Sequence, residues 1–444
     1  MSLPEKPATG NRIHWVVGML RPLRNAADRV PQAPSPLTLT VRTLTREPGL
    51  QAALQFMSVE RRWLDELQLQ LCRIPAPTFF EQPRAEWVRS VLEALGWSAH
   101  IDRAGNVVAQ LPGASSLAPL VAVTAHLDTV LAPQSPDDIR MDERRRMSGP
   151  GVSDNGAGLA GMLAVARVFH DFKLFSQFPF QLLLVANVGE EGEGNLNGMR
   201  YLCRQSPLAP RIRSFLVLDG PSTDHVTTEA LGCRRYEIVV SGPGGHSWSD
   251  FGAANPVHAL GRTITSFLDV HAPRAVGGGT GRHSFNFGVI DGGTTVNSIP
   301  ASARAKVDLR AENPVLLEAL VQALAEALDE AVLVENERAT IGHVTGKRKE
   351  TGNRPGGALP EHSPLRAYIR AVDSELGIRS SIDCASTDAN VPISMGLPAL
   401  SIGCGGDGGG AHTTSEWYSP EGRELGLRRV LLLLGLMLGE AVAE

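Results

Sequence analysis

A chain of 444 residues, 43% hydrophobic and 20% charged, is long enough for more than one hydrophobic core and has the composition of a globular protein. Its formal net charge of −5 leaves no basic footprint for nucleic acid. The five cysteines are far apart and form no CxxC pair, which excludes a disulfide framework and a thiolate zinc knuckle; such usage fits a reducing compartment, so the expected location is the cytoplasm.

Residues 1–50 are basic and proline-rich and read as a poorly ordered leader. The apolar stretch 13–20 is too short for a membrane span and no small-residue cleavage pattern follows it, so no membrane partner is expected. From Arg61 the spacing of Trp63, Leu64, Leu67 and Leu71 predicts a helix, with a second over about 83–95. Residues 106–111 and 119–125 read as strands. The second opens VAVTAHLDTV (121–130), which delivers His126 and Asp128 to one face, because residues two apart in extended chain point the same way. Asp154 stands where an N-cap belongs, before an amphipathic helix carrying Leu159, Met162, Leu163 and Val165. Residues 180–188, FQLLLVANV, form a continuous apolar strand of the kind buried on both faces of a parallel sheet, and it runs into Gly189-Glu190-Glu191-Gly192. A short strand at 215–218 ends in Asp219-Gly220.

The pattern then changes. Strands at 236–241, 285–290, 302–310 and 339–344, with helices at 256–270 and 314–331, give the order βαββαβ of a ferredoxin-like unit. After Pro355 the earlier style returns, with a helix at 363–376, a strand at 397–402, the glycine-rich GCGGDGGGAH and an apolar closing helix. The fold class expected is α/β: a mixed, mostly parallel sheet flanked by helices, with an inserted α+β domain. The boundaries expected are a leader at 1–50, a catalytic domain at 51–230 and 347–444, and the insert at 231–346.

Acids or histidines recur at strand ends: His126, Asp128, Asp154, Glu190, Glu191, Asp219 and His412. Two imidazoles and several carboxylates without thiolates make a donor set suited to Zn²⁺, Co²⁺ or Mn²⁺. So many clustered carboxylates would raise one another's pKa, a difficulty that two divalent cations remove. One carboxylate must stay off the metals to accept a proton from water. The Glu190-Glu191 doublet can supply both a ligand and that base.

The segments TAHLDTV, GVSDNGAG, GEEGEGNLNG, LDG, GPGGHSW, GGTTVNSIP and GGGAHTTSEW, in this order, resemble the M20 family of dinuclear-zinc metallopeptidases and N-acyl amino acid hydrolases. The resemblance spans about residues 60–440 and is closest to a tripeptide-aminopeptidase-like branch. It implies that His126 and Asp219 hold one metal, Glu191 and His412 the other, and that Asp154 bridges them. It implies further that Asp128 orients His126, that Glu190 is the general base, and that the Asp154–Asn155 peptide bond is cis. The insert becomes a lid and dimerisation domain. His246 becomes an oxyanion-stabilising residue reaching across a homodimer, and Asn297 and Arg310 become substrate-binding residues, Arg310 for a carboxylate. The activity implied is hydrolysis of an amide bond in small di- or tripeptides. One alternative is deacylation or desuccinylation of an N-acyl amino acid; another is a catalytically silent relative serving binding or dimerisation.

Overall fold

The computed structural model describes residues 36–271 and 281–439. The expected loose leader lies outside them up to residue 35, but residues 36–50 do not follow it. α1 (Pro36–Thr45) and α2 (Pro48–Val59) are helices that bury Val41, Leu44, Leu50 and Ala53 in the main core. Prolines and a Glu47 N-cap break this stretch into short pieces, which hides its periodicity in the sequence. α3 (Arg61–Cys72) and α4 (Gln82–Ala94) follow close to where the spacing predicts them.

The first part of the large sheet then forms from β1 (Ser98–Ile101), β2 (Val107–Gln110) and β3 (Leu120–His126). Two short strands, β4 (Arg140–Met141) and β5 (Met147–Ser148), lie aside from it. Next come α5 (Gly156–Phe172), β6 (Gln181–Asn187), α6 (Asn197–Arg204), β7 (Ile212–Leu218) and β8 (His225–Ala230). The apolar runs are explained by two-sided burial. Val121, Val123 and Ala125 of β3 enter the same cluster as α5, whereas Leu120 and Ala122 enter the one containing Met199 and Leu202 of α6.

The insert comprises β9 (Gly232–Ser241), β10 (Gly245–His246), α7 (Pro256–His271), β11 (His283–Gly292), β12 (Ser298–Ile299), β13 (Ser302–Ala311), α8 (Pro314–Arg338) and β14 (Thr345–Arg354). Its four-stranded antiparallel sheet has the order β11-β13-β9-β14, and α7 and α8 share a separate core with its buried face. The last strand differs from expectation: α8 runs on to Arg338, and the strand is at Thr345–Arg354, beyond the expected 339–344. TGKRKETGNR carries no apolar alternation because β14 is an edge strand, exposed along most of its length.

The chain returns through β15 (Gly357–Ala358), α9 (Pro364–Leu376), β16 (Ser381–Ala385), α10 (Asn390–Ser394), β17 (Ala399–Ile402), β18 (Asp407–Gly409), β19 (Trp417–Ser419) and α11 (Arg423–Leu438). The large sheet has nine strands in the order β1-β2-β6-β3-β7-β17-β8-β15, with β16 added beside β8. Its centre, β6-β3-β7-β17, is parallel; β1, β2, β8 and β15 join antiparallel to their neighbours, and β16 runs parallel to β8. α11 closes the core with Leu431, Leu432, Leu433 and Leu434 all fully buried. Among the described residues, no helix is long and apolar enough to cross a membrane.

Candidate metal centre

Four adjacent parallel strands end on one edge of the sheet, and ligands in such sheets sit in the crevice beyond the carboxyl ends. β3 ends at His126. The turn after β6 carries Glu190 and Glu191, Asp219 follows β7 directly, and the glycine-rich loop after β17 leads to His412.

Asp154 comes from the start of α5, and it does not cap that helix as its position suggests. Asn155 does: its Oδ1 accepts the Gly158 and Gly220 N–H groups, each at 3.1 Å, and its Nδ2 donates to Leu218 O at 2.9 Å. A Cβ at Gly158 would run into both Asn155 Oδ1 and the Leu218 carbonyl, so this close approach needs glycine. The cap ties the head of α5 to the end of β7 and leaves the Asp154 carboxylate free. The Asp154–Asn155 peptide bond is cis.

The freed carboxylate stands between two imidazoles. Asp154 Oδ1 is 3.0 Å from His126 Nε2, and Oδ2 is 3.0 Å from His412 Nε2. His412 Nε2 is also 2.9 Å from Glu191 Oε1, and His126 Nε2 is 3.8 Å from Asp219 Oδ1. Donor atoms of His126, Asp154 and Glu191 all lie within 4.8 Å of one another. The five residues expected as ligands thus converge from four strand ends and one helix head.

Electrostatics mark this convergence. Burial alone would lower the His126 pKa, but Asp128, Asp154 and Asp219 outweigh it and hold the ring's pKa well above the ordinary value. Hydrogen bonds to Asp154 and Glu191 push His412 up to about 10. Burial opposes ionisation of Asp154, yet both histidines hold its carboxyl well below the usual range. Two imidazoles facing three carboxylates is the donor chemistry of a divalent metal site, so the residues present fit such a group.

Asp128 is fully buried and does more than orient His126. His126 Nδ1 lies 2.9 Å from the Asp128 backbone carbonyl and 3.5 Å from the carboxylate Oδ1. The carboxylate itself accepts the backbone N–H groups of Glu190 (3.0 Å) and Glu191 (2.9 Å), and Thr78 donates to it at 3.0 Å. It therefore holds the turn that presents both glutamates.

A cavity of about 300 Å³ opens over the cluster, lined in part by Asp154, Glu190, Glu191, Asp219 and His412. Arg310 lines it too, its Nε on Asp308 Oδ1 at 2.7 Å. His246 and Asn297 do not line it. They are neighbours in the insert, where Ser247 N donates to Asn297 O and the short β10–β12 ladder pairs His246 with Ser298. The His246 ring is exposed and accepts the Trp248 and Ser249 amides on Nδ1. Within one chain these two residues stay away from the cluster.

Sequence reasoning missed Arg235, Arg354 and Ser386, which line the cavity, and the buried Asp388 beneath it. Arg354 is buried, donates from Nη1 to Glu190 Oε1 at 3.0 Å and to Ser386 Oγ at 3.0 Å, and also reaches the Glu190 carbonyl. Burial drives the Glu190 pKa well above the carboxylate range, with Arg354 opposing. Asp388, bonded to Asn187 at 2.6 Å, is pushed up to about 7 by burial. Arg354 closes β14, so misplacing that strand hid it; the proline that follows signals extended backbone there but not a role in the site.

Comparison with known proteins fits this architecture. Residues 106–236 match the family described as Peptidase family M28, and residues 228–335 match the Peptidase dimerisation domain of M20 type. A probable carboxypeptidase of Aspergillus clavatus is 32% identical over 209 residues, which is 43% of this chain and 44% of that protein. The chain spans about half the length of the curated relatives it matches. A tripeptidase from Staphylococcus aureus superposes with a TM-score of 0.67 at 19% identity, over 85% of this chain and 98% of that one. The Bacillus subtilis YXEP protein, a dinuclear metal binding peptidase from the M20 family, superposes with a TM-score of 0.62 at 14% identity, over 86% and 99% of the two chains. In fold, with a separate domain that matches the peptidase dimerisation model, the chain is similar to this dinuclear metal binding peptidase.

Proposed function

We propose that the chain hydrolyses an amide bond in small peptides with the help of two divalent metal ions, Zn²⁺ first among them and Co²⁺ or Mn²⁺ as alternatives, in the cytoplasm. The observation that carries this is Asp154, which offers one oxygen to His126 and the other to His412. His126 and Asp219 would hold one cation, Glu191 and His412 the other, with Asp154 shared. Bound there, the pair would polarise the scissile carbonyl and lower the pKa of a water. Glu190 is the carboxylate left over: it accepts the proton of the attacking water and passes it to the leaving amine. A buried carboxylate with a raised pKa is suited to holding that proton between the two steps.

The walls of the cavity support a substrate with a carboxylate handle. Its cations are Arg235, Arg310 and Arg354, apart from His412. Among the described residues its acids are the ligand candidates and Glu190, with no further acid to receive a substrate ammonium. Arg310 serves the carboxylate in this reading. The same feature favours one second reading, hydrolysis of N-acyl amino acids, which carry a carboxylate and no α-ammonium. It leans away from recognition of a free amino terminus.

The functional unit in this reading is a homodimer joined through the insert. Trp248, Phe251 and Val296 are 86%, 85% and 105% exposed, a cost to a lone subunit. Among the described residues, β11 is an edge strand of the insert's sheet. A partner docked there would bring its own copies of His246 and Asn297 within reach of this cavity.

The test is a panel of di- and tripeptides and N-acyl amino acids, offered to protein loaded with Zn²⁺, Co²⁺ or Mn²⁺ in turn. Hydrolysis that a chelator abolishes and metal restores is expected, with blocked amino termini tolerated and amidated carboxyl termini refused. No turnover of any panel member with any metal overturns the reading.

A further inference from the structure

Glu416 lies four residues past His412, just before β19, and its side chain is 2% exposed. Among the described residues its carboxylate forms no ion pair. It takes backbone N–H groups instead: Oε2 from Gly151 at 2.7 Å, Oε1 from Ser153 at 2.8 Å and from Asp154 at 2.8 Å. Its own carbonyl accepts Gly149 N at 2.9 Å, and the next residue, Trp417, pairs with Ser148. Residue 416 therefore grips the chain at positions 149, 151, 153 and 154.

A buried carboxylate is costly unless its lone pairs are satisfied, and three amide donors satisfy this one. Glutamine could not take its place without loss. Its amide has a single acceptor oxygen, so its NH₂ would face either the Gly151 donor or the pair from Ser153 and Asp154. The loop is thus shaped for an anion at residue 416.

What the anion holds in place is the Asp154 backbone, whose carboxylate stands between His126 and His412. Glu416 itself belongs to the segment that carries His412. The Asp154 side chain touches the two histidines, and its main chain hangs from Glu416. We propose that Glu416 is a positioning residue of the metal centre, fixing the Asp154 loop against the His412 segment and thereby the spacing of the two cation positions. This rests on the reading of Asp154 and His412 as ligands.

The experiment is titration of metal-free protein with Co²⁺, followed by visible absorption, for wild type and Glu416→Gln. Loss of a partner that orients a ligand commonly costs ~10–100-fold in metal affinity. That weakening, with displaced absorption bands, is expected in the folded variant. A purely structural role would lower the melting temperature and leave affinity and bands as in wild type; that result overturns the proposal. Should Glu416→Gln fail to fold, hydrogen exchange of segment 149–155 in wild type decides: slow exchange is expected, and exchange as fast as that of exposed loops overturns it. Wild type that shows no Co²⁺ absorption removes both the centre and this proposal. Wild type that binds Co²⁺ but cleaves no panel member removes the hydrolase reading alone, and the variant's affinity still decides for Glu416.

Discussion

Glu190 and Glu191 are neighbours in the chain with opposite surroundings. Glu191 meets His412 at 2.9 Å, and Glu190 meets Arg354 at 3.0 Å. In the proposed reading, replacing Glu190 with Gln removes a base and no ligand. Because a positioned general base contributes ~10²–10⁴ in rate, kcat should fall by that range with metal content near wild type. Glu191→Gln should lose metal as well as activity. Metal analysis beside steady-state kinetics separates the two, and the reverse pattern would exchange their roles. At this scale much was legible: the i, i+2 pair His126 and Asp128 announces a shared face, and the doublet announces two tasks. Arg354 was not legible, because its meaning depends on Glu190, 164 residues away.

Among the elements, α11 shows how the core is locked. Arg429 on this helix is fully buried, with Nε on Asp373 Oδ1 at 2.7 Å and Nη2 on Oδ2 at 2.6 Å, which pins α11 to α9. Removing one partner of such a pair leaves a buried charge uncompensated and costs ~3–5 kcal/mol. Asp373→Asn should lower stability to urea by about that amount, read from the unfolding midpoint, while leaving the residues proposed as metal ligands in place. An unchanged midpoint would show that the pair contributes little. Apolar periodicity made α5, β3, β6 and α11 readable in the sequence, since each buries a long run of side chains. β14 and α1 were missed for opposite reasons. β14 is polar on both faces at a sheet edge, and α1 is too short to show a period.

For the whole molecule, the separation of His246 from the cavity is the decisive feature. If the proposed dimer supplies His246 from the partner subunit, Glu190→Gln and His246→Ala chains should each be nearly inactive alone. Mixed and allowed to exchange subunits, half the dimers would be mixed, each with one site holding intact copies of both residues. By the two-fold symmetry of such dimers, activity should recover to about a quarter of wild type. No recovery, despite mixed dimers confirmed by mass, would place His246 outside the reaction.

The sequence by itself determined the strands that end in acids and histidines, the change of pattern at the insert and the identity of the residues that converge. Those features are local: alternation, apolar runs and donor chemistry are properties of short segments. Only the tertiary structure decided that Asn155, rather than Asp154, caps α5, that the Asp128 carboxylate holds the glutamate turn, that Arg354 meets Glu190 and that Glu416 meets the Asp154 amide. Each of these depends on hydrogen bonds between segments far apart in the chain, such as the one joining Glu416 to Asp154 across 262 positions. A buried carboxylate is ligand, base or clamp according to which donors surround it, and those donors come together only when the sheet assembles.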